Sequence, residues 1–145
     1  MPTIELVARA KDLAHRAHAG QVDKAGRPYI EHVARVAAAV SDYPEAEAVA
    51  WLHDFLEDCN CAAFGDEFME FPEATRDAVA DLTRFPAHSD GFYYWRVRYS
   101  PIALRVKLAD IADNSDEDRL ALLEPETADR LRRKYANARK ALGVT

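Results

Sequence analysis

Three features of the sequence predict an all-α fold. Apolar residues recur at helical spacing in six segments. Proline or glycine punctuates most of the breaks between them. No apolar–polar alternation runs longer than Tyr93–Tyr99, and no internal repeat is present. With 145 residues, of which 49% are hydrophobic and 30% charged, the chain has the material for one helical domain over residues 1–145.

The first helix is predicted over Ile4–Ala19, with Leu6, Ala10, Leu13, Ala14 and Ala17 on one stripe, Thr3 as N-cap and Gly20 as the stop. Gln21–Pro28 reads as a loop. Tyr29–Val40 is a second helix, rich in Ala and Val, and Ser41–Pro44 is a turn. Pro44 opens a third helix that runs to about Asp58. That helix carries Val49, Trp51, Leu52, Phe55 and Leu56 and is apolar nearly all round, which predicts a buried central position. Cys59–Gly65 reads as irregular, Pro72–Thr83 as a helix and Pro86–Gly91 as a loop. An aromatic segment, Phe92–Tyr99, follows, its aromatics expected to serve in core and helix packing. Pro101–Ala112 is a second buried helix, and Pro125–Leu142 closes the chain as an amphipathic one.

Charge narrows the function classes. The net charge is −6, from 25 acidic and 19 basic residues, which argues against a general nucleic-acid binder. No run approaches the roughly 20 apolar residues of a membrane span. The charged first twenty residues hold no signal-peptide core, so a cytoplasmic protein is expected. Two cysteines one residue apart, Cys59 and Cys61, make neither a disulfide scaffold nor a complete zinc site. Leu56–Leu82 carries eight acids and one base, whereas Arg84–Lys107 carries five bases and one acid. An acidic protein with such a basic segment can still hold a small polyanion.

The chemistry lies on the buried helices. In VAWLHDFLED, His53 and Asp54 follow an apolar run, and in VKLADIADN so does Asp110. Burying an unpaired carboxylate costs several kcal/mol, so Asp54 and Asp110 need partners. A divalent metal shared with His53 and with His32, on the preceding helix, supplies one. Asp113, one turn beyond Asp110, competes with it; Asp110 is preferred because it follows the apolar run directly. Glu57 and Asp58 fall three and four residues after Asp54, on the metal's face. There they would take a proton from a metal-activated water or orient it, which is the chemistry of phosphate-ester hydrolysis. His15 and His18 are expected on the helix surface.

The set His32, His53–Asp54 and Asp110 resembles the HD-domain metal phosphohydrolases. The stretches AHAGQVDKAGRPYIEH, HDFLED and VKLADIADN resemble, in order, the hydrolase domain of RelA/SpoT proteins and its stand-alone metazoan SpoT homologs. The resemblance covers roughly residues 5–117. It implies a helical HD domain and Mn²⁺-dependent removal of the 3′-pyrophosphate from (p)ppGpp. It also implies His32, His53, Asp54 and Asp110 as metal ligands, and Glu57 and Asp58 as the groups acting on water. Lys24 and Asn114 match nucleotide-contacting positions.

The departures cluster where that family reads its substrate. Asp23 stands where the family has an Arg that packs on guanine, and it would repel a phosphate. Ile111 replaces an Arg, Asp116–Glu117 replace an Arg-Thr pair, and Val33 replaces a Pro. Arg96, Arg98 and Lys107 are candidate phosphate contacts in their place. The sequence therefore predicts a metal-dependent phosphohydrolase with a small-molecule nucleotide substrate, (p)ppGpp foremost. The alternatives are another nucleotide (a nucleoside monophosphate or an NADPH-like dinucleotide) and an alarmone-binding module without turnover. The ligands alone admit metals other than Mn²⁺, and the oligomeric state is open.

Overall fold

A computed structural model of the chain describes residues 1–58 and 61–144, without the side chains of Asp58 and Cys61. The described residues form helices and no strand, as the periodicity predicts; an isolated antiparallel bridge joins Val22 to Pro28. Among them, no helix is long and apolar enough to cross a membrane.

Helix α1 (Thr3–Ala17) buries Leu6, Ala10, Leu13 and Ala14. It begins one residue earlier than predicted. Pro2, with φ at −62°, holds the cap position, its carbonyl takes the Leu6 N–H at 2.9 Å, and Thr3 lies inside the helix. The chain leaves α1 through Gly20, whose φ of 83° suits glycine. A loop then leads to α2 (Tyr29–Ala39), which buries His32, Val33, Val36 and Ala37.

Helix α3 (Pro44–Leu52) is buried on nearly every side, through Ala46, Ala48, Val49, Ala50, Trp51 and Leu52. The predicted continuous helix to Asp58 breaks at His53–Asp54 and resumes as α4 (Phe55–Asp58). The Ala50 carbonyl is shared by the His53 backbone N–H at 3.4 Å and by His53 Nδ1 at 2.7 Å. That double claim tightens the turn and fixes the ring beneath it. Cys61–Phe68 is helix α5, where irregular chain is expected; Gly65 hides a periodicity completed by Phe68, which stacks on Phe55 at 5.0 Å. Cys59, half of the cysteine pair, lies outside the described residues.

Helix α6 (Glu73–Asp81) follows, then α7 (Asp90–Arg98), α8 (Pro101–Asn114), the short α9 (Glu117–Leu120) and α10 (Pro125–Ala141). The aromatic segment is thus helical, capped by Ser89, whose hydroxyl accepts the Phe92 N–H at 3.1 Å. It turns Tyr93 and Val97 inward, whereas Phe92 and Trp95 are 42% and 58% exposed and do not serve as core. Helix α9 has no counterpart in the predicted pattern; its cap is Asp116, which accepts from the Arg119 N–H.

Helix α3 packs on α1, α2, α6 and α8. The core around it includes Leu13, Val36, Leu52, Phe55, Val106 and Ile111, each at most 1% exposed. Truncating such a residue, Leu52→Ala for example, costs about 2–5 kcal/mol. This packing sets α2, the α3–α4 turn and α8 side by side, so that three apolar walls present polar groups at one point.

Candidate metal centre

Those groups are His32 from α2, His53 from the α3–α4 turn and Asp110 from α8, all buried. One ligand atom from each lies within 4.8 Å of the others. His32 Nε2 is 2.9 Å and His53 Nε2 is 3.3 Å from the same oxygen, Asp110 Oδ1. The opposite nitrogen of each ring is engaged behind it. His53 Nδ1 donates to the Ala50 carbonyl at 2.7 Å, and His32 Nδ1 meets Asp113 Oδ2 at 2.6 Å. When neutral, both imidazoles therefore carry their proton on Nδ1 and turn the Nε2 lone pair toward Asp110. Two imidazole lone pairs and a carboxylate oxygen converging at one buried point form a donor set that fits a divalent metal.

Asp54 stands beside this group. Its Oδ2 is 3.1 Å from His53 Nε2 and accepts a short hydrogen bond from the Tyr29 hydroxyl. Asp110 is the most heavily engaged member. Besides the two imidazoles it receives Asn114 Nδ2 on Oδ1 at 3.1 Å and Lys107 Nζ on Oδ2 at 3.1 Å.

The charges follow from these contacts. Burial works against the cationic form of His32, but Asp110 and Asp113 outweigh it and hold its pKa above 6.5 in the metal-free protein. Burial opposes the charge on His53 as well, and Asp54 and Asp110 raise it further still. Burial also opposes the Asp110 carboxylate, yet Lys107 and the two imidazoles keep it well below the usual range. Asp113 is partly sheltered, and His32 and Arg35 bring it down to about 2. The two aspartates of α8 thus serve opposite nitrogens of one ring. Asp110 faces the centre, while Asp113 stands behind His32 and takes Arg35 Nε at 2.7 Å and Arg119 Nη1 at 2.8 Å.

Two cavities meet here. The smaller, about 220 Å³, is lined by Asp54, Glu57, Arg84, Lys107, Asp110 and Lys134 among others. The larger, about 550 Å³, runs along the 21–27 loop, the end of α8 and α9, with Leu120, Leu122, Leu123 and Leu131 as an apolar wall. Tyr29, Asn114 and Tyr135 line both and form the neck between them.

No family model matches the chain. A curated relative does. The chain is 31% identical to the guanosine-3′,5′-bis(diphosphate) 3′-pyrophosphohydrolase of Vibrio cholerae over 163 aligned positions, which take in 99% of this chain. The chain spans 22% of that protein's length.

Of the residues singled out in the sequence, the structure gathers His32, His53, Asp54, Asp110, Glu57, Lys107 and Asn114 around the smaller cavity or its neck. Lys24 lines the larger one. Glu57 is exposed and its carboxylate accepts the Arg84 backbone N–H. The Asp58 side chain lies outside the described residues. Arg96 and Arg98 line neither cavity. The Arg96 guanidinium is spent on the carbonyls of Ala80 and Thr83, at 3.0 and 3.1 Å, and Arg98 lies against Gly143. His18 is not on the surface as expected: it is buried, with Nδ1 2.7 Å from Gln21 and its ring beside Tyr29.

Asp23 is the largest departure from expectation. Its Oδ1 takes the backbone N–H groups of Ala25 and Arg27, both at 2.9 Å, and closes the loop as an Asx turn. Its Oδ2 pairs with Arg119 at 3.1 Å. Burial opposes the carboxylate, and these donors keep it ionised below the usual range. Its charge is thus answered inside the protein. Sequence reasoning missed Arg119, Tyr29, Arg84 and Lys134. Arg119 lies 96 residues from Asp23, and nothing in a linear pattern links them. The spacing of Asp113 three residues after Asp110 was the available signal for its place behind the ring.

Proposed function

We propose that this chain is a metal-dependent phosphohydrolase that removes pyrophosphate from a nucleotide, with guanosine 3′,5′-bis(diphosphate) as leading substrate and Mn²⁺ as metal. The observation that carries the reading is the pair of imidazoles whose Nδ1 atoms are engaged behind and whose Nε2 atoms aim at one Asp110 oxygen. The similarity to the Vibrio cholerae enzyme favours this substrate class.

In this reading His32, His53 and Asp110 would hold the metal together with Asp54, whose carboxylate the Tyr29 hydroxyl steadies. A divalent ion bound there would lower the pKa of a water and polarise a phosphate oxygen. Glu57, at the cavity wall and assisted by Asp58, takes the proton of the attacking water. The water oxygen bonds to phosphorus, the phosphorus–O3′ bond breaks, and the leaving O3′ takes up a proton that balances the one Glu57 removes from the water. Lys107 fixes Asp110 and adds positive charge at the cavity. Asn114 at the neck and Lys24 in the larger cavity contact the nucleotide. Arg96 and Arg98 are given no part in this reading, because neither lines these two cavities.

The test is hydrolysis by the purified chain with added Mn²⁺, on guanosine 3′,5′-bis(diphosphate), NADPH and ordinary nucleoside mono- and triphosphates, with Asp54→Ala as control. Pyrophosphate released from the bis(diphosphate) by the wild type and not by the control supports the reading. Turnover of another nucleotide alone moves the substrate and keeps the metal chemistry. Metal binding with no turnover of any compound rejects the enzyme.

A further inference from the structure

The basic side chains that line the two cavities fall into two groups. Most are answered by a carboxylate of the protein. Arg27 pairs with Glu31 at 2.8 Å, Arg35 with Asp113 at 2.7 Å, and Arg119 with Asp23 and Asp113. At the metal end Arg84 pairs with Asp90 at 2.7 Å and Lys107 with Asp110 at 3.1 Å. Lys24 and Lys134 differ. Among the described residues neither forms an ion pair or a hydrogen bond with a carboxylate. Lys24 belongs to the loop of the larger cavity and was marked by sequence. Lys134, from α10, was not. It sits at the rim of the smaller cavity, its ammonium 5.3 Å from the ring of Tyr135, which lines both cavities.

The surroundings of Lys134 are cationic. Partial burial, together with Lys24, Lys107, Arg84 and Arg130, pushes its pKa below the usual lysine value. A fold that leaves one such cation in each of two adjoining cavities, close enough to repel each other, stores repulsion that a bound anion relieves. The metal would meet the phosphate under attack, so the charge at the neck suits a different one.

We propose that Lys134 is a specificity-determining residue that holds a second phosphate group of the substrate, one that is not attacked, at the neck between the cavities. The site then selects nucleotides bearing several phosphate groups over monophosphates. This rests on the proposed hydrolase reading and adds a residue to it. Lys134 lies at the surface, only partly covered, so its replacement is expected to leave the fold intact.

The experiment compares wild type, Lys134→Ala and Lys134→Arg on guanosine 3′,5′-bis(diphosphate) and on guanosine 3′-monophosphate. It measures steady-state kinetics with Mn²⁺, and equilibrium binding of both compounds in a Glu57→Gln background. Losing one charge-assisted contact is expected to weaken the bis(diphosphate) about tenfold, in KM and in binding, with kcat within about twofold. The monophosphate changes by less than about twofold, and Lys134→Arg restores most of the loss. Equal weakening of both compounds, or none of either, overturns the proposal. Binding that depends on Lys134 without any turnover sinks the hydrolase reading and leaves the residue's role standing. Failure of the wild type to bind the bis(diphosphate) rejects both.

Discussion

The two cavities that share Tyr29, Asn114 and Tyr135 are built in different ways. Around Asp110 the polar groups sit on buried helices and the turn between two of them, and every nitrogen of the two rings is engaged. Around Asp23 they sit on a loop and on the short helix α9, and a carboxylate and a guanidinium 96 residues apart answer each other. A site built on packed helices can change little, because each side chain is fixed by the core behind it. A site built on a loop paired with a short peripheral helix can exchange partners without touching the core. The chemistry is therefore expected to be rigid and the choice of substrate adjustable. Substitutions at the two ends should separate accordingly.

The largest effect is expected at Asp110. Asp110→Ala leaves Lys107 and two imidazoles without their shared anion. Breaking a buried ion pair costs about 3–5 kcal/mol. Urea denaturation of the metal-free protein should show a loss of that order, and calorimetry should show metal binding abolished. Retention of tight metal binding would remove Asp110 from the ligand set. Glu57→Gln comes next. Its carboxylate is exposed and stands outside the group of candidate ligands, so turnover should fall about 10²–10⁴-fold while metal affinity is kept.

Asp113 tests whether the support behind the ring matters. Asp113→Asn weakens the acceptor for His32 Nδ1, and losses of such outer partners typically cost about 10–100-fold in metal affinity. The same geometry gives a pH dependence. Metal needs both imidazoles with Nε2 unprotonated, while in the metal-free protein Asp110, Asp113 and Asp54 keep the two rings protonated above 6.5. The sign is that of raised pKa values: the histidine–carboxylate pairs stabilise the metal-free protein at low pH and lose that contribution as pH rises through the folded-state values. Metal affinity should accordingly still be climbing above pH 6.5, by up to about tenfold per unit for each proton released. Calorimetry in buffers of differing ionisation enthalpy counts those protons. A plateau already reached at pH 6.5 would mean that the rings are not held protonated.

Legibility in the sequence divides along the same line. The main helices are readable because their apolar faces recur at the helical period, as in Leu6, Ala10 and Leu13 of α1. His53, Asp54 and Asp110 are readable because a charge in an apolar run demands a partner. The break at His53–Asp54 is not, since it arises from a side-chain bond to a carbonyl that no periodicity encodes. Helix α5 is hidden by Gly65, and α9 is too short to show a period. Asp23 reads in sequence as a bare negative charge in a loop. Only the fold brings Arg119 to it, and Lys134 likewise gains its meaning from which neighbouring cations have partners and which do not.

The smallest effect, and the one that sharpens the contrast most, belongs to Arg119. It touches both ends: Asp23 on the loop at 3.1 Å, and Asp113 behind His32 at 2.8 Å. Arg35 also holds Asp113, so Arg119→Ala leaves that carboxylate a cation and the ring its acceptor. Asp23 loses one of its three donors and keeps the two backbone N–H groups of its turn. The pair is partly exposed, and such pairs are worth about 0–1 kcal/mol, so the loop should loosen without unfolding. The expected outcome is a KM raised about two- to fivefold, within the range set by an interaction of that size, with kcat and metal affinity nearly unchanged. A fall in metal affinity as large as that of Asp113→Asn would show that the loop and the metal centre act as one unit. The separation between rigid chemistry and adjustable substrate choice would then fail at the single residue that spans it.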